Sequence, residues 1–133
     1  MRKTWAQKLD NGRESKVVRL EKAFAGIPAG ARMLVSTPRE VDGLLKKIPE
    51  GRFVAPEELR RKLAAKHGAD ATCPVSTGIF LRIASEAAWE ELQAGKDPSE
   101  VTPFWRSVQL GSPLARKLSC GEAFVRKMQR AEG

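Results

Sequence analysis

Few side chains of this 133-residue chain could act as a thiol nucleophile or as a sulfur or nitrogen ligand of zinc. Cys73 and Cys120 are far apart in the sequence, and His67 is the only histidine. A structural zinc site usually needs four such ligands at short, regular spacings. Neither standard Gly-rich phosphate-binding loop is present in the sequence. We therefore expect no bound metal and no cofactor.

Cys73 is the one side chain with a potentially reactive setting, because it directly precedes Pro74 at the start of a predicted helix. The aligned peptide dipoles of a helix N-terminus can stabilise a thiolate there. A thiol enzyme that uses Cys73 is therefore one hypothesis, although no second histidine is available as a base. The interpretation we favour is a small, buried residue of the helix cap. Cys120 is also expected to be structural, and His67 is expected to compensate the negative end of a helix.

Ser76 and Thr77 fall in the first turn of the same predicted helix. Short hydroxyls beside unpaired backbone amides can hold a phosphate group, and they can equally serve as N-caps. Arg82 follows about one and a half turns later and could reach a DNA groove or remain solvated. Since the far end of this helix is acidic, only its N-terminal end is expected to face DNA.

The charge of the chain indicates the class of partner. Lys and Arg number 24 against 16 Asp and Glu, which gives a net charge of +8. Such a charge on a small domain favours polyanions, nucleic acid before anionic membranes. Two cysteines fit a reducing compartment, and neither a signal peptide nor a membrane-spanning run is visible. The sequence thus predicts a soluble, cytoplasmic, monomeric protein without a membrane partner, associated with the nucleoid if it binds DNA.

The first part of the chain, residues 1–31, is predicted to be an N-terminal extension that packs on the domain or acts as a basic arm. Within it, the apolar residues between Val17 and Phe24 suggest a short amphipathic helix. The run 26–31 is expected to be a loop. Residues 32–36 suggest a short strand that leads into the domain of residues 32–133.

Two helices are predicted next. Thr37, Pro38 and Glu40 form a capping box, in which each of Thr37 and Glu40 bonds to the backbone of the other. An apolar stripe follows it: Val41, Leu44, Leu45 and Ile48. The second helix begins at Pro56 and ends before Gly68. It is expected to place Leu59, Leu63 and Ala64 inward and Arg60, Arg61, Lys62 and Lys66 outward.

A third helix is predicted after Cys73, with Ile79, Phe80, Ile83, Ala87 and Leu92 at helical spacing. The second and third helices with their short turn are typical of a helix-turn-helix. The mixture of aromatic and β-branched residues over 101–110 predicts a strand and a turn that would form a wing. The last helix is expected over 121–130. The predicted fold is a single, mostly α winged helix-turn-helix domain with a short β wing.

The segment Thr102-Pro103-Phe104-Trp105-Arg106-Ser107-Val108 resembles the Pro-Cys-His-Arg-Val motif of the alkylguanine-DNA alkyltransferases. Ile48-Pro49-Glu50-Gly51-Arg52 is similar to the family's Ile-Pro-x-Gly-Lys segment. Ser76-Thr77-Gly78 resembles its glycine-containing recognition helix, and residues 117–121 with the following helix resemble its C-terminal part. The resemblance covers about residues 33–131.

The resemblance implies DNA binding without alkyl transfer, because Phe104 stands at the position of the alkyl-accepting cysteine and Trp105 at that of the histidine. Alkyltransferase-like proteins, which also lack that cysteine, bind alkylated guanine for excision repair. A similar role here would involve double-stranded DNA, with or without an alkylated guanine, and repair proteins as partners. Phe104 and Trp105, with Pro103, would line the lesion pocket or fill it as core, and Arg106 would hold this segment in place.

The expected DNA-binding residues are the following basic and hydroxyl side chains: Arg52, Arg60, Arg61, Lys62, Ser76, Thr77, Arg82 and Arg106. Phosphate contact by Arg106 is a secondary expectation beside its structural role. One alternative to DNA binding is a protein-interaction module with a filled pocket, whose basic N-terminal arm docks an acidic partner. The thiol enzyme based on Cys73 is the other.

Overall fold

The structure is a computed structural model that describes residues 3–133. About 52% of the chain is helical, and the fold also contains a small three-stranded sheet. Residues 3–133 contain these helices: α1 (Trp5–Leu9), α2 (Pro38–Lys46), α3 (Pro56–His67), α4 (Pro74–Gln93), α5 (Pro113–Lys117) and α6 (Glu122–Glu132). They also contain β1 (Lys16–Arg19), β2 (Arg32–Val35), β3 (Ala71–Thr72) and 3₁₀ turns at Pro98–Glu100 and Phe104–Arg106. The mostly helical single domain predicted from the sequence is thus confirmed at this level.

The sheet has the order β1-β2-β3, with β1 antiparallel and β3 parallel to β2. The predicted amphipathic helix over 17–24 is therefore wrong, since Val17 and Val18 lie in β1 and pair with Leu34 and Met33. Adjacent β-branched residues favour a strand. A short apolar run is compatible with both the helical and the strand periodicity, so only a partner strand decides between them. Residues 3–31 thus pack on the remainder of the chain.

Only one of the two hydrogen bonds of the predicted capping box forms at the N-terminus of α2. The Thr37 hydroxyl accepts a hydrogen bond from the Glu40 amide at 3.1 Å, and Pro38 occupies the first turn. The reciprocal bond of the predicted capping box does not form. The Glu40 carboxylate instead binds the imidazole of His67 and, at 3.3 Å, the ammonium of Lys66. His67, at the end of α3, therefore ties α3 to α2 through this carboxylate.

Helices α3 and α4 occupy the predicted regions. Pro56 begins α3, and Gly68 ends it in the left-handed conformation with φ 64°. The connection to α4 includes β3, which the sequence did not indicate. Leu59 and Leu63 are buried as predicted, but Ile79 of α4 is exposed rather than inward. The inward face of α4 carries Ile83 and Ala87 as predicted, together with residues such as Leu81, Ala84 and Ala88.

Helix α4 joins two parts of the hydrophobic core. Leu81 and Ala84 pack with residues of β2, α2 and α3, such as Leu34 and Leu45. At the other end, Ala88 packs with residues of the segment 101–108 and of α5 and α6. The predicted strand and wing over 101–110 are wrong, because this segment is coil with the 3₁₀ turn Phe104–Arg106 and is buried from 101 to 105. Its aromatic and β-branched residues reflect burial in the core, since no strand within residues 3–133 pairs with them.

None of the helices within residues 3–133 is both long and apolar enough to cross a membrane.

Candidate nucleic-acid interface

Basic side chains gather where α2 ends and α3 begins. Lys47, Arg52 and Lys62 line a cleft of about 300 Å³ whose floor includes Val54 and Leu59. Arg52 and Lys62 were predicted from the sequence, whereas Lys47 was missed. Its position at the C-terminal cap of α2 gave a signal that could have identified it, because basic residues often compensate this end of a helix.

Arg60 and Arg61 line a second cleft of about 350 Å³ that also reaches Pro74 at the start of α4. Glu57 and Asp70 line the same cleft, so its charge is mixed. The Asp70 carboxylate is already engaged, because it accepts a hydrogen bond from the Arg32 amide at 2.8 Å.

Three guanidinium groups near these clefts have no carboxylate partner, as is the case for most Lys and Arg side chains of residues 3–133. Within residues 3–133, no carboxylate lies within 4.0 Å of Arg52, Arg60 or Arg61. Lys62 has a partner in Glu58 at 3.6 Å, and both side chains are about half exposed. An exposed pair of this kind is weak, so Lys62 can exchange its partner for a phosphate at little cost.

The hydroxyls of the first turn of α4 are less accessible than predicted. Thr77 is buried, and its hydroxyl donates a hydrogen bond to the Cys73 carbonyl at 2.7 Å. The Ser76 hydroxyl lies 3.3 Å from the Cys73 sulfur, which also accepts the Ser76 amide. Thr77 therefore cannot reach a phosphate in this conformation. The N-cap interpretation is correct for this turn, but the capping atom is the Cys73 sulfur.

The exposed face of this end of α4 is apolar. Val75 is 53% exposed and Ile79 is 55% exposed. Arg82 follows them, and its guanidinium lies 5.4 Å from the ring centre of Trp5 in α1 and 3.8 Å from the Glu86 carboxylate. Arg82 is thus at the surface, as predicted, but it is placed by α1. The contribution of Trp5 could not be anticipated, since it depends on how α1 packs on α4.

Neither cysteine has the surroundings of a reactive thiol. Cys73 is buried beneath the loop 24–27 and β2, in a small cluster with Ile27 and Met33. Burial, and then the charge of Glu86, raise the pKa of the Cys120 thiol to about 11. A thiol with such a pKa is almost fully protonated at neutral pH and a poor nucleophile.

The segment that carries the alkyltransferase resemblance lies inside the domain. Phe104 and Trp105 are essentially unexposed, and their rings meet edge to face at 5.3 Å. Phe124 of α6 stacks on Phe104 at 6.2 Å. Pro103 is also buried. The open lesion pocket expected as one interpretation is therefore not formed, because these rings fill the space themselves.

Arg106 has a structural position rather than a DNA-facing one. Its Nε and Nη2 donate to the Glu132 carboxylate, with the shortest contact at 2.7 Å, and its Nη1 donates to the Ile48 carbonyl at 2.7 Å. The indole of Trp105 donates to the same carboxylate at 2.9 Å. Burial raises the pKa of Glu132, but these hydrogen bonds and the Arg106 charge lower it by more, so the pKa lies below its ordinary value. The expected phosphate contact of Arg106 is thus not supported, while its role in holding the segment is. No pattern in the sequence indicated Glu132 as the partner of Arg106.

Comparisons of this chain with family models, curated proteins and solved structures found no match.

Proposed function

We propose that this chain is a non-enzymatic protein that binds double-stranded DNA, with a helix-turn-helix arrangement of the alkyltransferase-like type. The observation that carries the proposal is a set of guanidiniums that line two clefts beside α3. Arg52, Arg60 and Arg61 lie there without a carboxylate partner among residues 3–133, on a chain with a net charge of +8. Cations that are not neutralised by the protein itself are available for DNA phosphates, and counterion release then supplies the affinity.

The alkyltransferase-like assignment draws support from the way distant segments meet at Arg106. Its guanidinium reaches the Ile48 carbonyl, and its own carbonyl accepts the Val54 amide at 2.8 Å. The third partner is Glu132 at the end of α6. The Ile48–Arg52 loop, the 102–108 segment and the C-terminal helix are three of the four parts that carry the sequence resemblance. One side chain joins all three, as expected if they form a common scaffold.

The non-enzymatic assignment rests on the two positions where covalent chemistry would occur. Phe104 has no atom that can accept an alkyl group, and it is buried. The Cys73 sulfur is buried and serves as a helix cap. A flipped guanine would have to displace the Phe104 and Trp105 rings from the core, so binding without lesion preference is our first expectation.

The test is fluorescence anisotropy with a labelled duplex, with and without one alkylated guanine, over a series of salt concentrations. We expect binding that weakens steeply with salt and is similar for both duplexes. Each phosphate contact contributes about 0.9 to the slope of log K against log salt. Replacement of Arg52, Arg60 and Arg61 by Ala should therefore reduce the slope by about 2 to 3.

The matched control removes the same charge elsewhere, from three exposed cations of the C-terminal helix: Arg126, Lys127 and Arg130. Equal losses for the two triple variants would show that only the net charge matters and would refute an interface in the two clefts beside α3. A preference for the alkylated duplex that persists at high salt would instead support a damage sensor in which the 102–108 segment opens. Repair proteins would then be the expected partners.

A further inference from the structure

A second surface of this domain differs from the two basic clefts beside α3 in its chemistry. Helices α1, α4 and α5 enclose a groove of about 450 Å³. Its lining residues are Trp5, Lys8, Val75, Gly78, Ile79, Arg82, Ile83, Leu114 and Lys117. None of these residues lines either of the two basic clefts beside α3. The groove therefore can be tested separately from DNA binding.

The floor and the rim of the groove have opposite character. Val75 and Ile79 are more than half exposed there, and Leu114 closes the floor from the side of α5. The rim carries the cations Lys8, Arg82 and Lys117, and no carboxylate-bearing residue is found among the described residues of the lining. A contiguous apolar surface with a polar rim is typical of a binding site.

We propose that this groove binds an acidic amphipathic helix of a partner protein. The apolar face of such a helix would pack on Val75 and Ile79, as in other helix-in-groove complexes. Its flanking carboxylates would meet Lys8, Arg82 and Lys117, which gives the pair complementary charge. Gly78 lies between Val75 and Ile79 with open space where a Cβ would be, so the backbone of the partner helix can approach α4 closely there.

Two other occupants fit the groove less well. A nucleic acid could pair its phosphates or guanine edges with the cations of the rim, but its polyanionic backbone would leave the exposed side chains Val75 and Ile79 without an apolar partner. A second copy of this chain would bring its own net charge of +8 to a rim that is already cationic. An acidic, apolar-faced helix satisfies the floor and the rim together.

The test uses labelled helical peptides and the full chain. The probe peptide has leucines at i, i+3, i+4 and i+7 and glutamates on the flanks; a second peptide carries lysines in place of the glutamates, and a third has the first composition in scrambled order. We expect the glutamate peptide to bind at least tenfold more tightly than either of the others, as measured by anisotropy.

The substitution Gly78→Leu fills the groove without touching the core, and it should weaken peptide binding at least tenfold. Gly43→Leu is the matched control, because Gly43 is also helical and also has open space at its Cβ position but lies on α2. Leucine has a higher helix propensity than glycine, so neither variant should unfold. The Lys8→Glu, Lys117→Glu double variant should lose the preference for the glutamate peptide.

Equal binding of the three peptides, or equal effects of Gly78→Leu and Gly43→Leu, would overturn the proposal. So would displacement of the peptide by duplex DNA combined with a loss of DNA affinity in Gly78→Leu, because the groove would then be a nucleic-acid surface. Loss of DNA binding in the Arg52, Arg60, Arg61 triple variant with intact peptide binding would separate the two functions.

Discussion

The carboxylate of Glu132 is expected to stabilise the fold by linking α6 to Arg106. Both side chains are largely buried, with 9% and 16% of their surface exposed, so water screens the pair only in part. Hydrogen bonds to charged groups contribute about 1.5–3 kcal/mol each, while desolvation offsets much of the sum. Glu132→Gln keeps an oxygen for the Trp105 indole but leaves Arg106 without its counter-charge. We expect a loss of about 2 kcal/mol in the free energy of unfolding at neutral pH.

The pH dependence tests the electrostatic origin of this loss. The pKa of the Glu132 carboxyl is lower in the folded protein than the ordinary value of 4.5. A carboxyl with a lowered folded pKa stabilises the protein above its unfolded pKa, and this contribution disappears as the pH falls through the folded value. The difference between the unmodified chain and Glu132→Gln should thus be full at neutral pH and should shrink progressively below 4.5.

Urea unfolding followed by tryptophan fluorescence measures the free energy of unfolding of both proteins. Done at neutral pH and at about pH 3, it gives the loss caused by Glu132→Gln and the change of that loss with pH. For a chain of this length the expected change in Tm at neutral pH is about 6–10 °C. Glu14→Gln is the control, since Glu14 is exposed and its substitution should change the free energy of unfolding by less than about 0.5 kcal/mol. The role assigned to this ion pair would be refuted if Glu132→Gln lowered the free energy of unfolding by no more than the control does. It would also be refuted if the loss were the same at both pH values.

Three further predictions concern the buried groups. Phe104→Cys should not produce alkyl transfer from alkylguanine DNA, which mass spectrometry of the protein checks. It should also lower the free energy of unfolding by about 3 kcal/mol because it opens a cavity in the core, which urea unfolding checks. Thr77→Val should cost about 1 kcal/mol through the lost bond to the Cys73 carbonyl but leave DNA affinity unchanged, so a weaker complex in anisotropy would return Thr77 to the interface. Cys73 and Cys120 should react slowly with a thiol reagent at neutral pH in the native protein and rapidly in urea; fast native labelling of Cys73 would revive the thiol-enzyme hypothesis.

Helices α2, α3 and α4 could be predicted from the sequence because their ends are marked locally, whereas the short helices α1 and α5 were missed. The ends of these helices are set by residues at the ends themselves. The hydroxyl of Thr37 caps α2, the rings of Pro38, Pro56 and Pro74 favour a first helical turn, and Gly68 adopts the left-handed conformation that ends α3. Such signals act within one helical turn and do not depend on the remainder of the chain.

The strands and the wing could not be predicted in the same way, because strand pairing is decided by distant residues. Val17 becomes part of β1 only because Leu34 lies beside it, and the short β3 exists only because it joins β2. Conversely, the strand-like residues around Val101 to Val108 have no such neighbour and fold into buried coil. Local composition cannot distinguish these cases.

For the candidate interface, side-chain type was predictable and side-chain direction was not. The outward positions of Arg61 and Lys62 follow from helical period, and the structure leaves them at the surface. Thr77 has the right type for a phosphate contact, but its hydroxyl turns to the Cys73 carbonyl. Arg106 likewise has the right charge for a phosphate contact, but its guanidinium is hydrogen-bonded to the Glu132 carboxylate and is largely buried. No residue near either of them in the sequence indicates this pairing.

The packing of α4 limits how this domain can contact DNA. A recognition helix lies in the major groove with one face free along several turns. Here α4 is buried from Ile83 to Ala88 and packs against α1, α2 and the 3₁₀ turn Phe104–Arg106, so only its first two turns are free. Those turns present Val75 and Ile79, which cannot hydrogen-bond to base edges. Base-specific contacts by α4 would therefore be few, and the affinity would come from phosphate contacts of Arg52, Arg60 and Arg61. Binding of this kind varies little with DNA sequence and strongly with salt, and that is why the salt series is the most informative measurement on this domain.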